Sequence, residues 1–134
     1  MTDDALAPIR AWLLAFAARV RARDFDGGRA MCLPDMIAFG TFAPIVRGID
    51  HVMDEQWKAV WPTIREFTIR AERAEGAVVG EHAWVAAPWD SLGVRPDGTT
   101  FPRPGRCTIV LEQREGRWLA RHTHFSLAPG PSAP

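Results

Sequence analysis

The stretch RCTIVLEQREGRWLARHTHFSL, residues 106–127, decides the fold class. Apolar and polar residues alternate in both of its halves, which is the pattern of two strands that each have one covered face. Residues 114–116 separate the halves, and Gly116 can take the left-handed conformation that a tight turn needs. We expect a three-residue turn, because a two-residue turn would favour Asn or Asp where Glu115 stands. The stretch therefore predicts an antiparallel hairpin.

The register of this turn assigns each hairpin residue to one face of the sheet. One predicted face carries Cys107, Ile109, Leu111, Leu119, Arg121, Thr123, Phe125 and Leu127. The other carries Thr108, Val110, Glu112, Trp118, Ala120, His122, His124 and Ser126. The first set is the more apolar, so we expect it to face the helices and a pocket, and the second set to form the outer face of the sheet.

Composition narrows the class of protein. The chain has 134 residues, which fits one domain, and its 16 basic and 16 acidic residues are scattered. That balance argues against nucleic acid and an anionic membrane as partners, and no apolar run is long enough to span a bilayer. Cys32 and Cys107 stand alone in apolar contexts, which favours reduced, buried thiols. We expect a cytoplasmic protein.

Helices precede the strands along the chain. An apolar residue at every third or fourth position predicts an amphipathic helix from Asp3 to Arg23. Asp26 is expected to cap a short second helix that runs through Cys32. Asp50 is expected to cap a third helix, which Pro62 stops. The apolar face of this third helix carries Met53, Trp57, Val60 and Trp61.

The rest of the chain reads as strands and loops. The predicted strands before the hairpin are Met36 to Phe42, Phe67 to Glu75, Val78 to Ala87 and Thr99 to Phe101. The predicted loops are Pro88 to Gly98 and Pro102 to Gly105. Residues 1–127 are expected to form a single domain, and residues 128–134 a flexible tail. Helices segregated ahead of a mostly antiparallel sheet predict an α+β domain.

Several short motifs share their order and spacing with a known superfamily. They are Ala22-Arg23-Asp24-Phe25-Asp26, Arg47-Gly48 and the ending in which Trp118 precedes two histidines and a serine. From Ile9 to Leu127 the chain resembles the SnoaL-like branch of the nuclear transport factor 2 (NTF2) superfamily, and also the association domain of calcium/calmodulin-dependent kinase II. The resemblance implies an NTF2-like (cystatin-like) cone: a long N-terminal helix and two shorter helices packed on a strongly curved, mostly antiparallel sheet.

The resemblance does not fix a reaction, because this scaffold hosts isomerases, cyclases, dehydratases and assembly domains. Ketosteroid isomerase chemistry is not expected. In the match to ketosteroid isomerases, the tyrosine donor of that family falls on Phe16, its aspartate base on Gly40, and its third acid on Thr108 or Ile109. Two hypotheses remain: a dimeric protein that binds a small apolar or anionic molecule, or a small metal-free enzyme that acts by proton transfer on a cyclic carbonyl compound.

Arg121 is the residue that we expect to anchor a ligand in the pocket, because it is the one charge on the predicted apolar face. The alternatives are an internal ion pair with Asp or Glu, or a side chain that reaches solvent. The other predicted ligand-binding residues are mostly aromatic: Trp12, Phe16, Phe39, Trp57, Trp61, Trp84, Thr123 and Phe125. Six tryptophans in a chain without tyrosine suit a wide apolar cavity.

Three histidines have both a chemical and a structural interpretation. His122 and His124, with Glu112, could hold a metal, but we favour a homodimer interface that they form with Trp118 and Ser126. His82 is the candidate catalytic acid or base if it points inward, although a surface position is the favoured interpretation. No metal and no cofactor are expected.

Overall fold

The computed structural model describes residues 4–41 and 44–130. Its helices are α1 (Ala7–Ala22), α2 (Phe25–Arg29), α3 (Ile49–Val52) and α4 (Lys58–Val60). A π-helical turn at Met53–Trp57 joins the last two into one helical run, residues 49–60, and 3₁₀ turns follow at Trp61–Thr63 and Ala71–Arg73. Asp3, Phe42 and residues 131–134, which the predicted elements and tail included, lie outside the described residues.

The start of the chain follows the predicted helical pattern. Ile9, Leu13 and Phe16 of α1 are buried, and Arg23, at a left-handed φ of 53°, ends the helix. The predicted cap of the second helix is wrong, because Asp24 rather than Asp26 accepts the N–H of Gly27, at 2.9 Å. That helix ends at Arg29, since the chain from Cys32 onward already joins the sheet.

Eight strands form one curved sheet. They are β1 (Cys32–Phe39), β2 (Val46–Arg47), β3 (Ile64–Ile69), β4 (Glu75–Val79), β5 (His82–Val94), β6 (Thr100–Pro102), β7 (Gly105–Arg114) and β8 (Arg117–Leu127). The order is β2-β1-β8-β7-β5-β3, with β4 and β6 paired to β5. Strands β1 and β8 run parallel, and the other pairs of the described sheet are antiparallel. The sheet is mostly antiparallel, so the predicted α+β class is confirmed.

The middle strands differ from the prediction. A 3₁₀ turn interrupts the strand expected from Phe67 to Glu75, and Gly80, with φ 61°, interrupts the one expected from Val78 to Ala87. The loop expected from Pro88 onward belongs largely to β5. Pro88 is tolerated in β5 because no partner strand needs its missing N–H. That N–H would point to the side of β5 where pairing with β4 has ended, at Ala86, and pairing with β3 has not yet begun, at Trp89.

The N-cap of the helical run 49–60 is Gly48, whose φ is 88°, so the expected capping role of Asp50 is wrong. The run buries Trp57, which stacks on Trp61 with ring centroids 4.6 Å apart. Phe16 of α1 meets the Trp57 ring edge-on at 5.6 Å. These aromatic contacts join α1 to the run, and the sheet closes the other side of the cone.

The final hairpin carries the largest difference from the predicted register. Arg114 pairs with Arg117, so the turn has two residues, and both Glu115 (φ 51°) and Gly116 (φ 77°) are left-handed. This is a type I′ turn, not the expected three-residue turn. Leu111 then pairs with Ala120 and Val110 with His122, which leaves Arg121 as the extra residue of a β-bulge.

The bulge changes which hairpin residues face the core. Ala120, predicted on the outer face, is fully buried, and Trp118 packs against the core. Thr123 and Phe125, beyond the bulge, keep the predicted inward orientation: Thr123 is buried, and Phe125 packs against the core. Arg121 lies on the outer face, where both of its carboxylate partners are found. The two-residue turn therefore inverts the expected pattern between the turn and Arg121, and the inserted residue restores it beyond Arg121.

Candidate functional site

A small cavity of about 60 Å³ lies between α1, the helical run 49–60 and the sheet. The helices contribute Phe16, Val20, Gln56, Trp57, Val60 and Trp61 to its lining. The strands and loops contribute Gly40, Thr41, Ile64, Phe67, Trp89, Arg103 and Phe125. Most of these side chains are apolar, and Gly40, Thr41 and Val60 are only half-buried. The cavity therefore has an apolar body and reaches toward the surface at that side.

Aromatic rings form most of the wall and explain the small volume. Phe16 is the centre of the group, with its ring centroid 5.9 Å from Trp61 and 6.1 Å from Phe125. Trp89 approaches Phe125 to 6.4 Å and Phe67 to 5.3 Å from the sheet side. Stacked and tilted contacts at these distances are favourable and leave little free space inside the cone.

The charged group of the cavity is Arg103, which follows β6. Its side chain is buried, with 8% of the residue exposed, and burial lowers the pKa of the guanidinium. Nη2 donates to Thr41 Oγ1 at 3.0 Å, and Cζ lies 5.6 Å from the centre of the Trp89 ring. Ser91 fixes the backbone of the residue from both sides: Arg103 N donates to Ser91 O at 2.8 Å, and Ser91 Oγ donates to Arg103 O at 2.7 Å.

The indole of Trp89 supplies a second polar group. The residue is 1% exposed, and its Nε1 is buried without a hydrogen-bond partner. Among the described residues, no other buried side-chain nitrogen or oxygen lacks a partner. Gly105 leaves the space for this ring, because a Cβ there would lie 2.1 Å from Trp89 Cζ2. Buried N–H groups are nearly always paired, so this donor is an exception that calls for an acceptor.

Gln56 is the third polar group, and the π-helical turn that contains it is a feature frequently found at functional sites. Its amide is buried, and Nε2 donates to Ala38 O at 3.4 Å. Gly40 makes room for it, since a Cβ at that position would lie 3.0 Å from the Gln56 amide carbon.

Two cavity positions bear on the predicted loss of isomerase chemistry. Phe16 and Gly40, on which the family's tyrosine donor and aspartate base are expected to fall, both line the cavity. Neither side chain can donate or remove a proton. Of the described residues that line the cavity, none is an aspartate, glutamate, histidine or cysteine. The wall therefore lacks the usual groups of acid–base catalysis.

The predicted ligand-binding residues fall into three groups. Phe16, Trp57, Trp61 and Phe125 line the cavity as expected. Trp12 and Thr123 are buried outside the lining: Trp12 stacks on Phe16 at 5.0 Å and donates its indole N–H to Met31 O at 3.2 Å.

Phe39 and Trp84 form the third group, because both lie on the outer face. Phe39 contacts the His122 ring edge-on at 4.8 Å, and Trp84 is 48% exposed. Trp84 pairs with Val110, whereas its strand neighbours Ala83 and Val85 point into the core. The expectation that these two rings wall the pocket is wrong, because strand alternation directs them outward.

The expectation that Arg121 lies on the pocket face is also wrong, for the bulge turns its side chain outward. Nε and Nη2 bind Glu112 at 2.8 and 3.3 Å, and Nη1 binds Asp35 Oδ1 at 2.7 Å. The hydrogen bonds that Arg121 donates lower the pKa of Glu112 to about 2 and also lower the pKa of Asp35. The alternative interpretation, an ion pair within the protein, describes this geometry.

The three histidines considered in the sequence analysis, His82, His122 and His124, lie on or near the outer face. His82 is exposed at the start of β5, and His122 Nδ1 lies 2.9 Å from Ile37 O. His124 and Ser126 share that face with His122, and Ser126 Oγ accepts a hydrogen bond from Arg106 Nε at 2.9 Å. Trp118 is not part of this surface, because the register that the two-residue turn sets directs it inward. Across residues 4–41 and 44–130, no group of three or more histidines, cysteines or acids is placed to hold a metal.

Sequence reasoning missed Arg103, Gln56 and the role of Trp89. Arg103 stands between two prolines, in a segment that reads as an exposed loop. Gln56 occupies a helix position where a polar residue usually faces water. A signal was present for Trp89: the alternation of Val85, Ala87 and Trp89 continues across Pro88, so a strand through that proline would have placed the indole inward.

Comparison with known proteins supports one family. Residues 9–130 match the model of the SnoaL-like domain. No curated protein matches the chain significantly. A ketosteroid isomerase-like protein from Erwinia carotovora atroseptica is 18% identical, with 96% of this chain and 100% of that chain covered and a TM-score of 0.80.

Two further solved structures are similar. An NTF2-like superfamily protein from Salmonella enterica is 17% identical (92% of this chain and 91% of that chain, TM-score 0.78). The association domain of C. elegans calcium/calmodulin-dependent kinase II is 18% identical (83% and 86%, TM-score 0.64). None of the described helices is both long and apolar enough to cross a membrane. The fold is the expected NTF2-like, cystatin-like cone, and the chain belongs to the SnoaL-like domain family.

Proposed function

We propose that the protein binds a small, mostly apolar molecule in the cavity of the cone. The observation that carries this proposal is a space walled by aromatic rings and lined also by a few residues with polar side chains, which is the usual composition of a small-molecule site. These residues are Arg103, Trp89 and Gln56. They replace Arg121 as the residues proposed to orient a ligand.

The size of the cavity restricts the ligand. Sites for drug-sized molecules commonly enclose about 300–1,000 Å³, several times the 60 Å³ found here. A compact body, such as a single ring or a short branched chain, suits this space better than a steroid. Val60 and Thr41, which are half-buried, lie at the side through which such a molecule would enter.

Binding is favoured over catalysis by proton transfer. The described cavity wall offers no carboxylate or imidazole, and an arginine stays protonated at ordinary pH. Burial raises the pKa of both cysteine thiols to about 12, so neither Cys32 nor Cys107 is a ready nucleophile. An enzyme acting on a cyclic carbonyl compound would need a base from elsewhere, and His82 is exposed on the outer surface.

The test is a screen of single-ring compounds by thermal shift and native mass spectrometry. Val60→Phe would fill the cavity from its half-buried side, and Val79→Phe adds the same volume at a residue that is 71% exposed. Compounds that raise the melting temperature of the wild type should lose their effect on Val60→Phe and keep it on Val79→Phe. Equal shifts on both variants would place the binding site elsewhere and contradict the proposal.

We also propose a homodimer formed through the outer face of the sheet. Trp84, nearly half exposed, and the neighbouring His122 and His124 give that face an aromatic surface. An exposed aromatic surface of this kind is commonly a contact site. The similarity to a kinase association domain is consistent with assembly.

A further inference from the structure

We infer that Gln56 and Thr41 form a site for a hydroxyl group at the half-buried end of the cavity, and that the ligand is a compact neutral alcohol or phenol. The amide oxygen of Gln56 accepts the hydroxyl proton of the ligand, and the hydroxyl of Thr41 donates to the ligand oxygen. The apolar body of the ligand lies against Trp57 and Phe125, which line the same cavity. This inference rests on the proposed function, because it names the chemistry of a ligand in that cavity.

The amide of Gln56 has one end engaged and one end open. Nε2 donates to Ala38 O at 3.4 Å, and the amide is not reversed there, because two carbonyl oxygens would then face each other. Oε1 accepts no hydrogen bond from the described residues. It is not one of their enclosed polar atoms that lack a partner, so it keeps some surface that a small molecule can reach. An acceptor of this kind is satisfied by a ligand that brings a donor.

Gly40 places this amide at the cavity. Both residues contribute to the lining, and a Cβ at Gly40 would lie 3.0 Å from Gln56 Oε1 and 3.3 Å from Nε2. The amide therefore covers the bare Cα of Gly40, on the side where the cavity reaches toward the surface. The π-helical turn Met53–Trp57 buries Gln56 and Trp57 although they are consecutive, so both contribute to the wall. The backbone on both sides of the amide thus holds its oxygen at the cavity.

Thr41 supplies a donor at the same end. It follows Gly40, lines the cavity and is half-buried. Its Oγ1 accepts a hydrogen bond from Arg103 Nη2 at 3.0 Å, which fixes the oxygen and leaves the hydroxyl proton to be donated. No described residue accepts that proton. Arg103 is needed here only for the bond that it already makes, and the ligand takes no donor from it.

An acceptor and a donor at one end of the cavity select a hydroxyl over other small polar groups. A hydroxyl donates one hydrogen bond and accepts another, whereas an ether or a ketone only accepts. A carboxylate would bring its charge against the oxygen of Gln56 and has no proton to give it. A carboxamide can donate and accept, but its second N–H would lie unpaired against a mostly apolar wall. A hydroxyl is therefore the group that this end of the cavity satisfies.

The experiment compares hydroxyl compounds with fluorides of nearly the same shape, since a carbon-bound fluorine cannot donate a hydrogen bond. Phenol with fluorobenzene, and cyclohexanol with fluorocyclohexane, are titrated into the whole chain by calorimetry at pH 7. We expect each hydroxyl compound to bind about 10-fold more tightly than its fluoride, because it gains two hydrogen bonds.

Variants at the two positions assign this preference. Gln56→Met keeps the length of the side chain and removes the acceptor, so it should lower the preference to about 3-fold and leave fluoride binding unchanged. Gln113→Met, at the other glutamine of the chain, lies outside the cavity lining and should retain the full preference. Thr41→Val removes the donor and should also lower the preference to about 3-fold, whereas Thr41→Ser should retain it.

The outcomes separate this inference from the proposed function. If hydroxyl compound and fluoride bind the wild type equally and Val60→Phe excludes both, the hydroxyl site is wrong and the apolar cavity site stands. A full preference that survives in Gln56→Met and in Thr41→Val also overturns the hydroxyl site. Should Gln56→Met fail to fold, the pair Thr41→Val and Thr41→Ser decides alone. If none of the four compounds binds, and the wider screen finds no ligand that Val60→Phe excludes, both are wrong.

Discussion

The side chains of Arg103 and Arg121 lie on opposite sides of the same sheet. Arg121 is on the outer face, where two carboxylates neutralise it within the protein. Arg103 is buried on the cavity side, with a threonine hydroxyl and the face of an indole among its contacts. The comparison shows that the tertiary surroundings of an arginine, and not the apolar residues beside it in the sequence, decide on which side of the sheet its side chain lies.

One backbone feature produces this difference. The β-bulge at Arg121 lies beside an irregular pairing of β1 with β8 between Cys32 and Ile37, and Asp35 within that irregular segment binds Arg121. The arginine therefore holds two adjacent departures from regular pairing together. Its role is therefore structural, and the bulge is what aims its side chain at these partners.

The largest expected effect comes from the cavity side. Phe16→Ala removes the ring that contacts Trp12, Trp57, Trp61 and Phe125, and should lower the free energy of unfolding by about 3–5 kcal/mol. Urea denaturation followed by tryptophan fluorescence measures this. Leu14→Ala, on the exposed side of the same helix, is the control and should change stability by less than about 0.5 kcal/mol. Similar losses for both variants would contradict the assignment of Phe16 to the centre of the core.

The next effect concerns the outer face. Trp84→Glu combined with His124→Glu places like charges across the proposed dimer and should weaken association by about 2–4 kcal/mol. Light scattering coupled to gel filtration should show a wild-type dimer and a variant monomer, with circular dichroism unchanged. Val79→Glu, exposed at the end of β4, is the control. A wild-type monomer, or a variant that remains fully dimeric, would refute this interface.

Arg121→Met should lower the free energy of unfolding by about 1 kcal/mol at pH 7, because Glu112, whose side chain is 13% exposed, loses its partner. The pKa of Glu112 is depressed in the folded protein, from about 4.5 to about 2. This stabilisation is therefore complete above pH 4.5 and is lost as the pH falls toward 2.

The measurement for Arg121 is urea denaturation of wild type and variant at pH 7 and pH 3. The difference between them should shrink at the lower pH. Arg70→Met, which breaks an exposed pair with Asp90 at 2.8 Å, is the control and should cost less than about 0.5 kcal/mol. A difference between wild type and Arg121→Met that does not depend on pH would argue against the ion pair as its cause.

Much of the fold could be predicted from the sequence, because helix periodicity and strand alternation repeat over many residues. The spacing of Ile9, Leu13 and Phe16 identified α1, and the alternation around Gly116 identified the hairpin. The site was only partly predictable. A single inserted residue at Arg121 carries no pattern, and Arg103 lies in a proline-flanked segment whose burial depends on contacts with residues far along the chain.

The smallest expected effect tests the turn that sets the register before the bulge. Glu115 adopts φ 51°, a conformation that Asn tolerates better than Glu at the first central position of a type I′ turn. Glu115→Asn should therefore stabilise the protein by about 0.5 kcal/mol, which raises the melting temperature by roughly 2 °C for a domain of this size. Glu81→Asn is the matched control, since Glu81 is an exposed glutamate in the other two-residue turn and its φ is not positive. If Glu115→Asn destabilises the protein while Glu81→Asn has no effect, the turn is not type I′ and the bulge at Arg121 would have to be reassigned with it.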